Sequence, residues 1–473
     1  MRFSPALTAF FNGFAAASTA CTQVQALFVA DFRAVLAAES GASLEALLPA
    51  LRGCERLIAA TCRPVSVADG GHAVALFDVA AFAAPRIYAW VTARLEQLRA
   101  WSQRNMAAEK WTGTSGTRGD TLVPPAHSAV ELARAVHEAV VAFLKLSVFQ
   151  ARPAQDLCRG VLQLYCDYVL GIKRLCGDVA TLVPPALPLT RFKASNVELL
   201  KQLPMASQQQ RPTAKPQGPS FEEALVMHAS LAFLDREVAE LGAEFSKGWV
   251  TLSKQARALR LPHSDSDEVS LCNIFPLKHW QDEQLQTLSY LAYRAVFVEL
   301  RAFVDGMYSL GSPKANSASL LTPLDGLMKR ICETAGESRD AAAGAVLSAV
   351  AKGLLLVLLD GGPTRVFVQD EAGAVAADVA AIAAFFEAGG DGLSPAQVAA
   401  ALAPVRAVVE AMGMDTHMLC SRAKDSKMHL HVLAHRADRV ASKFLKNLGM
   451  PKALGAVQET SMRLAKLMEK KPA

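Results

Sequence analysis

Residues 341–364 read AAAGAVLSAVAKGLLLVLLDGGPT. From Ala341 to Leu359 the only charge is Lys352, and the run then stops on Asp360-Gly361-Gly362-Pro363. Its length approaches the roughly 20 residues that span a bilayer, which makes it the transmembrane candidate of this sequence. The central Lys352 and the opening small residues Ala341-Ala342-Ala343-Gly344-Ala345 favour a helix buried in a protein core instead. Gly361 suits the left-handed residue that closes a helix, and Pro363 prevents its continuation. A core helix this long must be surrounded, so the stretch implies helices packed on helices. Leu356→Asp would then place an unpaired charge in that core and unfold the C-terminal bundle.

Outward from this stretch, apolar residues recur at helical spacing along the chain, and only Thr364-Arg365-Val366-Phe367-Val368 alternates like a strand. The expected fold is all-α, an elongated stack of helical bundles. Ser128 with Glu131, Ser220 with Glu223 and Ser394 with Gln397 each have the spacing of a capping box, and Pro395 fits the first helical position. After Ser128, the stripe Ala133, Val136, Val140, Phe143, Leu144 calls for helical neighbours. Pro, Gly, Ser and polar residues break the chain at 112–125, 183–188, 204–219, 261–267 and 311–318. The break at 204–219, rich in Pro and Gln, reads as a linker between a bundle over 1–203 and bundles over 220–473. No repeat of fixed period stands out.

The 473 residues are 52% hydrophobic and 20% charged, enough apolar material for a large core and too much for a disordered chain. A net charge of +5 is low for a nucleic-acid binder of this length. Between Asp438 and Ala473 there are eight Lys or Arg against three acids, so this tail accounts for the whole excess. Nine cysteines, an odd number without paired spacing, read as reduced core thiols of a cytosolic protein. Ala15-Ala16-Ala17-Ser18-Thr19-Ala20 mimics part of a targeting peptide, but Asn12 and Gly13 interrupt the apolar stretch and a helical pattern runs through it.

Catalytic and ligand chemistry is sparse. Gly361-Gly362 lacks the third glycine of a dinucleotide loop and the Gly-Lys-Ser/Thr of a nucleotide loop. Glu387-Ala388-Gly389-Gly390-Asp391-Gly392 resembles a calcium loop but has Gly389 and Val398 where ligands belong, so it reads as a turn between helices. His431 and His435 stand four apart, close in sequence to His417, Cys420 and His429. With no Glu between the pair and no carboxylate within reach, no metal is assigned. No Gly-x-Ser-x-Gly elbow or conspicuous carboxylate pair is present, so neither an enzyme, a cofactor nor a small-molecule substrate is expected. Tyr88, Trp90 and Trp101 read as core anchors, and Trp111, at a linker edge, as a contact residue.

Several ordered segments resemble the plant PATROL-type branch of the Unc-thirteen, or MUN-domain, family. Arg86-Ile87-Tyr88-Ala89-Trp90-Val91, Glu109-Lys110-Trp111, Leu182-Val183-Pro184-Pro185 and Leu189-Thr190-Arg191-Phe192-Lys193 are similar to the first MHD segment and its exit. Gly353 through Phe367, Phe385-Phe386 and Gly389-Gly390-Asp391-Gly392-Leu393 resemble the second. Ala441-Ser442-Lys443-Phe444-Leu445-Lys446 and Met450-Pro451-Lys452 complete the pattern. The resemblance implies a non-catalytic scaffold of vesicle tethering and priming. It implies cytoplasmic localisation at vesicles or the plasma membrane, with SNARE or tethering-complex proteins as partners. No SNARE-contacting residue of the family is matched. A generic helical adaptor of another complex is the alternative.

The tail supplies the candidate contact residues. Val440, Phe444, Leu445 and Leu448 form an apolar stripe beside Lys443, Lys446 and Lys452. Leu464, Leu467 and Met468 alternate with Arg463, Lys466, Lys470 and Lys471. Both patterns suit docking on the bundle or contact with an anionic membrane.

Overall fold

The computed structural model describes residues 48–49, 52–53, 79–112, 123–146, 150–183, 218–258, 277–308, 317–360, 367–436 and 439–447. Among these residues every regular element is helical, so the fold is all-α. The chain forms two compact units, one of residues 1–109, 127–170 and 233–278, the other of 110–126, 171–232 and 279–473. Of the stretch 204–219, only Gly218 and Pro219 lie among the described residues.

The first unit contains α1 (Val79–Ala108), α2 (His127–Lys145), α3 (Ala151–Cys176) as far as Leu170, and α4 (Phe221–Ala258) from Phe233 onward. On α4, Leu234, Val238, Leu241, Phe245, Trp249 and Leu252 recur at three- and four-residue steps, and all are buried. Ala133, Val136, Val140 and Phe143 of α2 are buried as their spacing implies, while Leu144 is half-buried. Aromatic rings link these helices in a ladder. Trp90 of α1 lies 6.5 Å from Phe143 of α2, Phe143 lies 6.3 Å from Phe245 of α4, and Phe245 stacks 6.0 Å from Trp249. A Cβ on Gly248 would stand 2.7 Å from Leu144 Cδ1, so glycine permits the close approach of α2 to α4.

Helix α2 starts differently from the sequence expectation. It begins at His127, and Ser128 is already helical and buried. The Ser128 amide donates to Glu109 Oε2 at 2.7 Å and its hydroxyl pairs with the Tyr168 hydroxyl at 2.8 Å. A distant carboxylate has replaced the local capping box with Glu131.

The second unit takes the end of α3, the start of α4, α5 (Leu277–Arg294) from His279, α6 (Arg301–Gly306), α7 (Ser317–Ala335), α8 (Arg339–Asp360), α9 (Ala372–Glu387), α10 (Pro395–Gly413), α11 (Thr416–Arg422), α12 (Lys427–Leu433) and α13 (Arg439–Asn447). Helix α8, the stretch quoted first, packs against α10, α7, α6 and α12. Its buried wall is Val346, Leu347, Val350, Leu354 and Leu358. Each such side chain contributes about 1.5–3 kcal/mol relative to exposure. Lys352 is exposed and Leu356 only half-buried. The position for a disruptive charge is therefore Leu354 or Leu358. Among the described residues, three helical spans could cross a membrane by length and composition, Arg339–Leu359, Gln369–Gly390 and Pro395–Gly413, with mean hydropathies of 2.2, 1.5 and 1.2. Of these, the sequence reading singles out the first alone.

Two of the expected capping boxes are present. The Ser220 amide donates to Glu223 Oε2 at 2.6 Å and the Glu223 amide to Ser220 Oγ at 3.2 Å. Ser394 and Gln397 exchange the same bonds at the start of α10, with Pro395 at its first turn. The turn after α9 has positive φ at Ala388, Gly389 and Gly390, and the Leu393 amide reaches back to Phe386 O at 2.9 Å. A Cβ on Gly392 would collide with the Phe386 carbonyl oxygen, so the calcium-loop look-alike is the helix-to-helix turn expected of it. Trp111, expected as a contact, is buried at 7% exposure, whereas Tyr88 is half exposed.

A π-helical turn, Ala295–Glu299, follows α5. The Leu300 amide donates to Ala295 O, five residues back, at 2.8 Å. The wider turn brings residues five apart to one side, and Arg294 Nε lies 3.8 Å from Glu299 Oε1.

Candidate functional site

In the second unit a turn after α12 buries two polar side chains in succession. The amides of Ala434, His435 and Arg436 donate back to the carbonyls of Leu430, Val432 and Leu433, which tightens the helix end. His435 and Arg436 are 3% and 8% exposed. His435 Nδ1 accepts from the Phe367 amide at 3.3 Å, which leaves the proton on Nε2, 3.3 Å from Leu359 O at the end of α8. One imidazole thereby joins the chain on both sides of residues 360–366. The Phe367 ring lies 5.5 Å from the His435 ring and edge-on to Tyr308 at 5.8 Å, while the Tyr308 hydroxyl donates to Asp378 Oδ2 at 2.7 Å.

Arg436 closes α10. Its Nη2 donates to Met412 O and, at 2.9 Å, to Met414 O, and its Nη1 to Gln369 Oε1 at 3.4 Å. Gln369 Nε2 in turn donates to Gly413 O at 3.0 Å. The last carbonyls of a helix have no partner inside it, and a cation beside them also meets the negative end of the helix dipole. Helices α8 and α10 thus both end on one His-Arg dipeptide. The space between Leu358, Phe367, Met412, His435 and Arg436 is too tight for a water molecule, so the arrangement is a tie and offers no binding pocket.

His429 and His431 are half-buried, each with Nδ1 enclosed and without a hydrogen-bond partner among the described residues. Among those residues no three of His, Cys, Asp and Glu gather into a metal-holding group. Burial pushes the thiols of Cys158 and Cys176 up to about 12, which keeps them protonated and poorly nucleophilic.

Of the tail residues, Lys443 is exposed on α13, which packs on α11. Beside it Val440 is 37% exposed, Phe444 is half-buried and Ala441 is buried. Lys446 belongs to α13, and Lys452, Arg463, Lys466, Lys470 and Lys471 lie outside the described residues. Exposed Arg422, Lys424 and Lys427 on the α11–α12 segment add cations that the tail pattern missed. Their signal was Ser421-Arg422-Ala423-Lys424-Asp425-Ser426-Lys427, where Asp425 divides the run. His435 and Arg436 were missed as structural ties because their partners are remote in sequence.

Residues 83–429 match the model of a family described as PATROL1-like, TPR repeats. The chain is also similar to a protein of Arabidopsis thaliana named Protein unc-13 homolog, 26% identical over 405 residues. That match covers 78% of this chain and 36% of the relative, so the chain spans little more than a third of the relative's length. No solved structure matches.

Proposed function

The chain belongs to the PATROL1-like family of helical-repeat proteins, and on that premise we propose that it is a non-catalytic scaffold of vesicle tethering and priming. It serves the exocytic delivery of membrane proteins, and its partners are SNARE or tethering-complex proteins. The carrying observation is the family match across residues 83–429. The geometry supports it, because His435, Arg436, Gln369 and Ser128 hold the fold together and leave helix faces as what the protein offers. The chain works from the cytoplasmic side of vesicles or of the plasma membrane. Lys443, Lys446, Lys452, Arg463, Lys466, Lys470 and Lys471 give it a salt-sensitive grip on anionic lipid, each cation contributing on the order of 1 kcal/mol near the surface.

Proximity labelling with the full chain in its source cells tests this reading. Enrichment of SNAREs and tethering subunits is expected, together with slowed surface arrival of a membrane-protein reporter when the chain is removed. Enrichment confined to a nuclear or cytoskeletal complex, with unaltered arrival, would replace the proposal with the generic adaptor.

A further inference from the structure

Eight successive residues of α4, Ala224 to Leu231, are buried, so this part of the helix is enclosed on every side. Two of the eight are polar. Ser230 is satisfied, its hydroxyl donating to Val226 O at 2.7 Å and accepting from the Ala126 amide at 2.8 Å. His228 is 1% exposed, and neither ring nitrogen has a hydrogen-bond partner among the described residues. A buried imidazole in this position is tolerable when neutral and very costly when charged.

Among the described residues no charged group acts on the His228 ring, and those of the same helix end and of α5 are engaged elsewhere. Glu222, on the same helix, accepts from both terminal guanidinium nitrogens of Arg330, and Glu223 accepts from the Ser220 amide. From α5, Glu283 holds Lys173 at 3.0 Å and Arg294 donates to the Tyr290 hydroxyl at 3.3 Å. None of them compensates a charge on His228, whose pKa burial alone lowers to about 4. The segment around it is anchored at both ends, by the Tyr290 hydroxyl donating to Pro219 O at 2.9 Å and by the Ser230 contact with Ala126.

We propose that His228 makes residues 218–232 an acid-released segment, held closed by a neutral imidazole and opened when that ring takes up a proton. Opening this stretch would also free Ala126, which Ser230 holds. In the opened state His228 titrates near its ordinary value of 6.5, and in the closed state near 4. Between those values the opened state binds more protons, so the closed state loses stability as pH falls. The opening equilibrium should be about 30-fold larger at pH 5 than at pH 7.5.

Hydrogen exchange of the full chain at both pH values, corrected for intrinsic exchange, tests the proposal. Protection of amides 224–231 should fall about 30-fold at pH 5, while that of α9 stays level. The fall should vanish in His228→Leu and in His228→Gln, the second keeping a neutral polar group should the first disturb the core. An equal fall in either folded variant, or no fall in the wild type, overturns the proposal. An NMR titration of the wild-type chain serves where neither variant folds, since a His228 ring titrating near 6.5 in the folded state would also overturn it.

Discussion

The aromatic ladder of the first unit and the His-Arg tie of the second both join helices, by opposite means. Trp90, Phe143, Phe245 and Trp249 meet with ring centroids 6.0–6.5 Å apart and require only apolar area and shape. His435 and Arg436 meet backbone groups at Phe367, Leu359, Met412 and Met414 through directed bonds. A ladder member can be exchanged for another apolar group of similar volume at small cost. A tie member cannot, because its removal leaves backbone groups without their partner. The ladder therefore contributes stability broadly, and the tie fixes where particular helix ends must be.

The largest expected effect is on the ladder. Phe245→Ala removes two ring contacts from a fully buried position and should cost about 4 kcal/mol in chemical unfolding, equally at pH 5 and pH 8. A cost below about 2 kcal/mol would break the contrast with the tie. Arg436→Met keeps much of the volume but orphans the Met412 and Met414 carbonyls, for an expected loss of about 3 kcal/mol. Arg436→Lys should recover only part, since an ammonium cannot reproduce the guanidinium fork. A loss below about 1 kcal/mol for Arg436→Met would reduce the tie to one ordinary hydrogen bond.

The smallest effect sharpens the comparison with a polar pair left in water. Glu222 and Arg330 form a two-pronged contact with side chains 67% and 40% exposed, and the Arg330 hydrogen bonds hold the Glu222 carboxyl below its usual 4.5. A lowered carboxylate pKa stabilises the fold above the unfolded value and is lost as pH falls through the folded one. Glu222→Gln should therefore cost about 0.5 kcal/mol at pH 7 and progressively less as pH falls below the ordinary carboxylate range, read from thermal melts along that series.

What was legible from sequence follows the same division. The α4 stripe from Leu234 to Leu252, the α8 core helix and the boxes at Ser220 and Ser394 depend on partners three to seven residues away or on plain apolar spacing. Periodicity reports such features. Phe367 lies 68 residues from His435, and Leu359 lies 76, so nothing local marks the tie. Ser128 misled for the same reason, because Glu109, 19 residues earlier, took its amide. Leu356 misled differently. Its run Leu354 to Leu359 is apolar throughout, so composition gives no clue to which of its members face outward. The uneven helices, 38 residues in α4 and 6 in α6, explain why no fixed period shows in a family described by repeats. As for the candidate site, the exposure of Lys443 was foreseeable from its place beside the apolar stripe of Val440 and Phe444, whereas Arg422 and Lys424 were hidden because Asp425 separates them from Lys427.

The π turn at Ala295–Glu299 bears on how this chain tolerates changes in its gene. A π turn is an α-helix with one residue too many, and the surplus is held here by the Leu300-to-Ala295 bond. Loss of a single codon within 295–299 would let the turn relax to ordinary α geometry while α5 and α6 keep their directions. The same loss in the middle of α8 would rotate every later side chain of that helix by about 100° and turn its buried wall toward solvent. In-frame deletions that survive in these helices should therefore collect at the π turn.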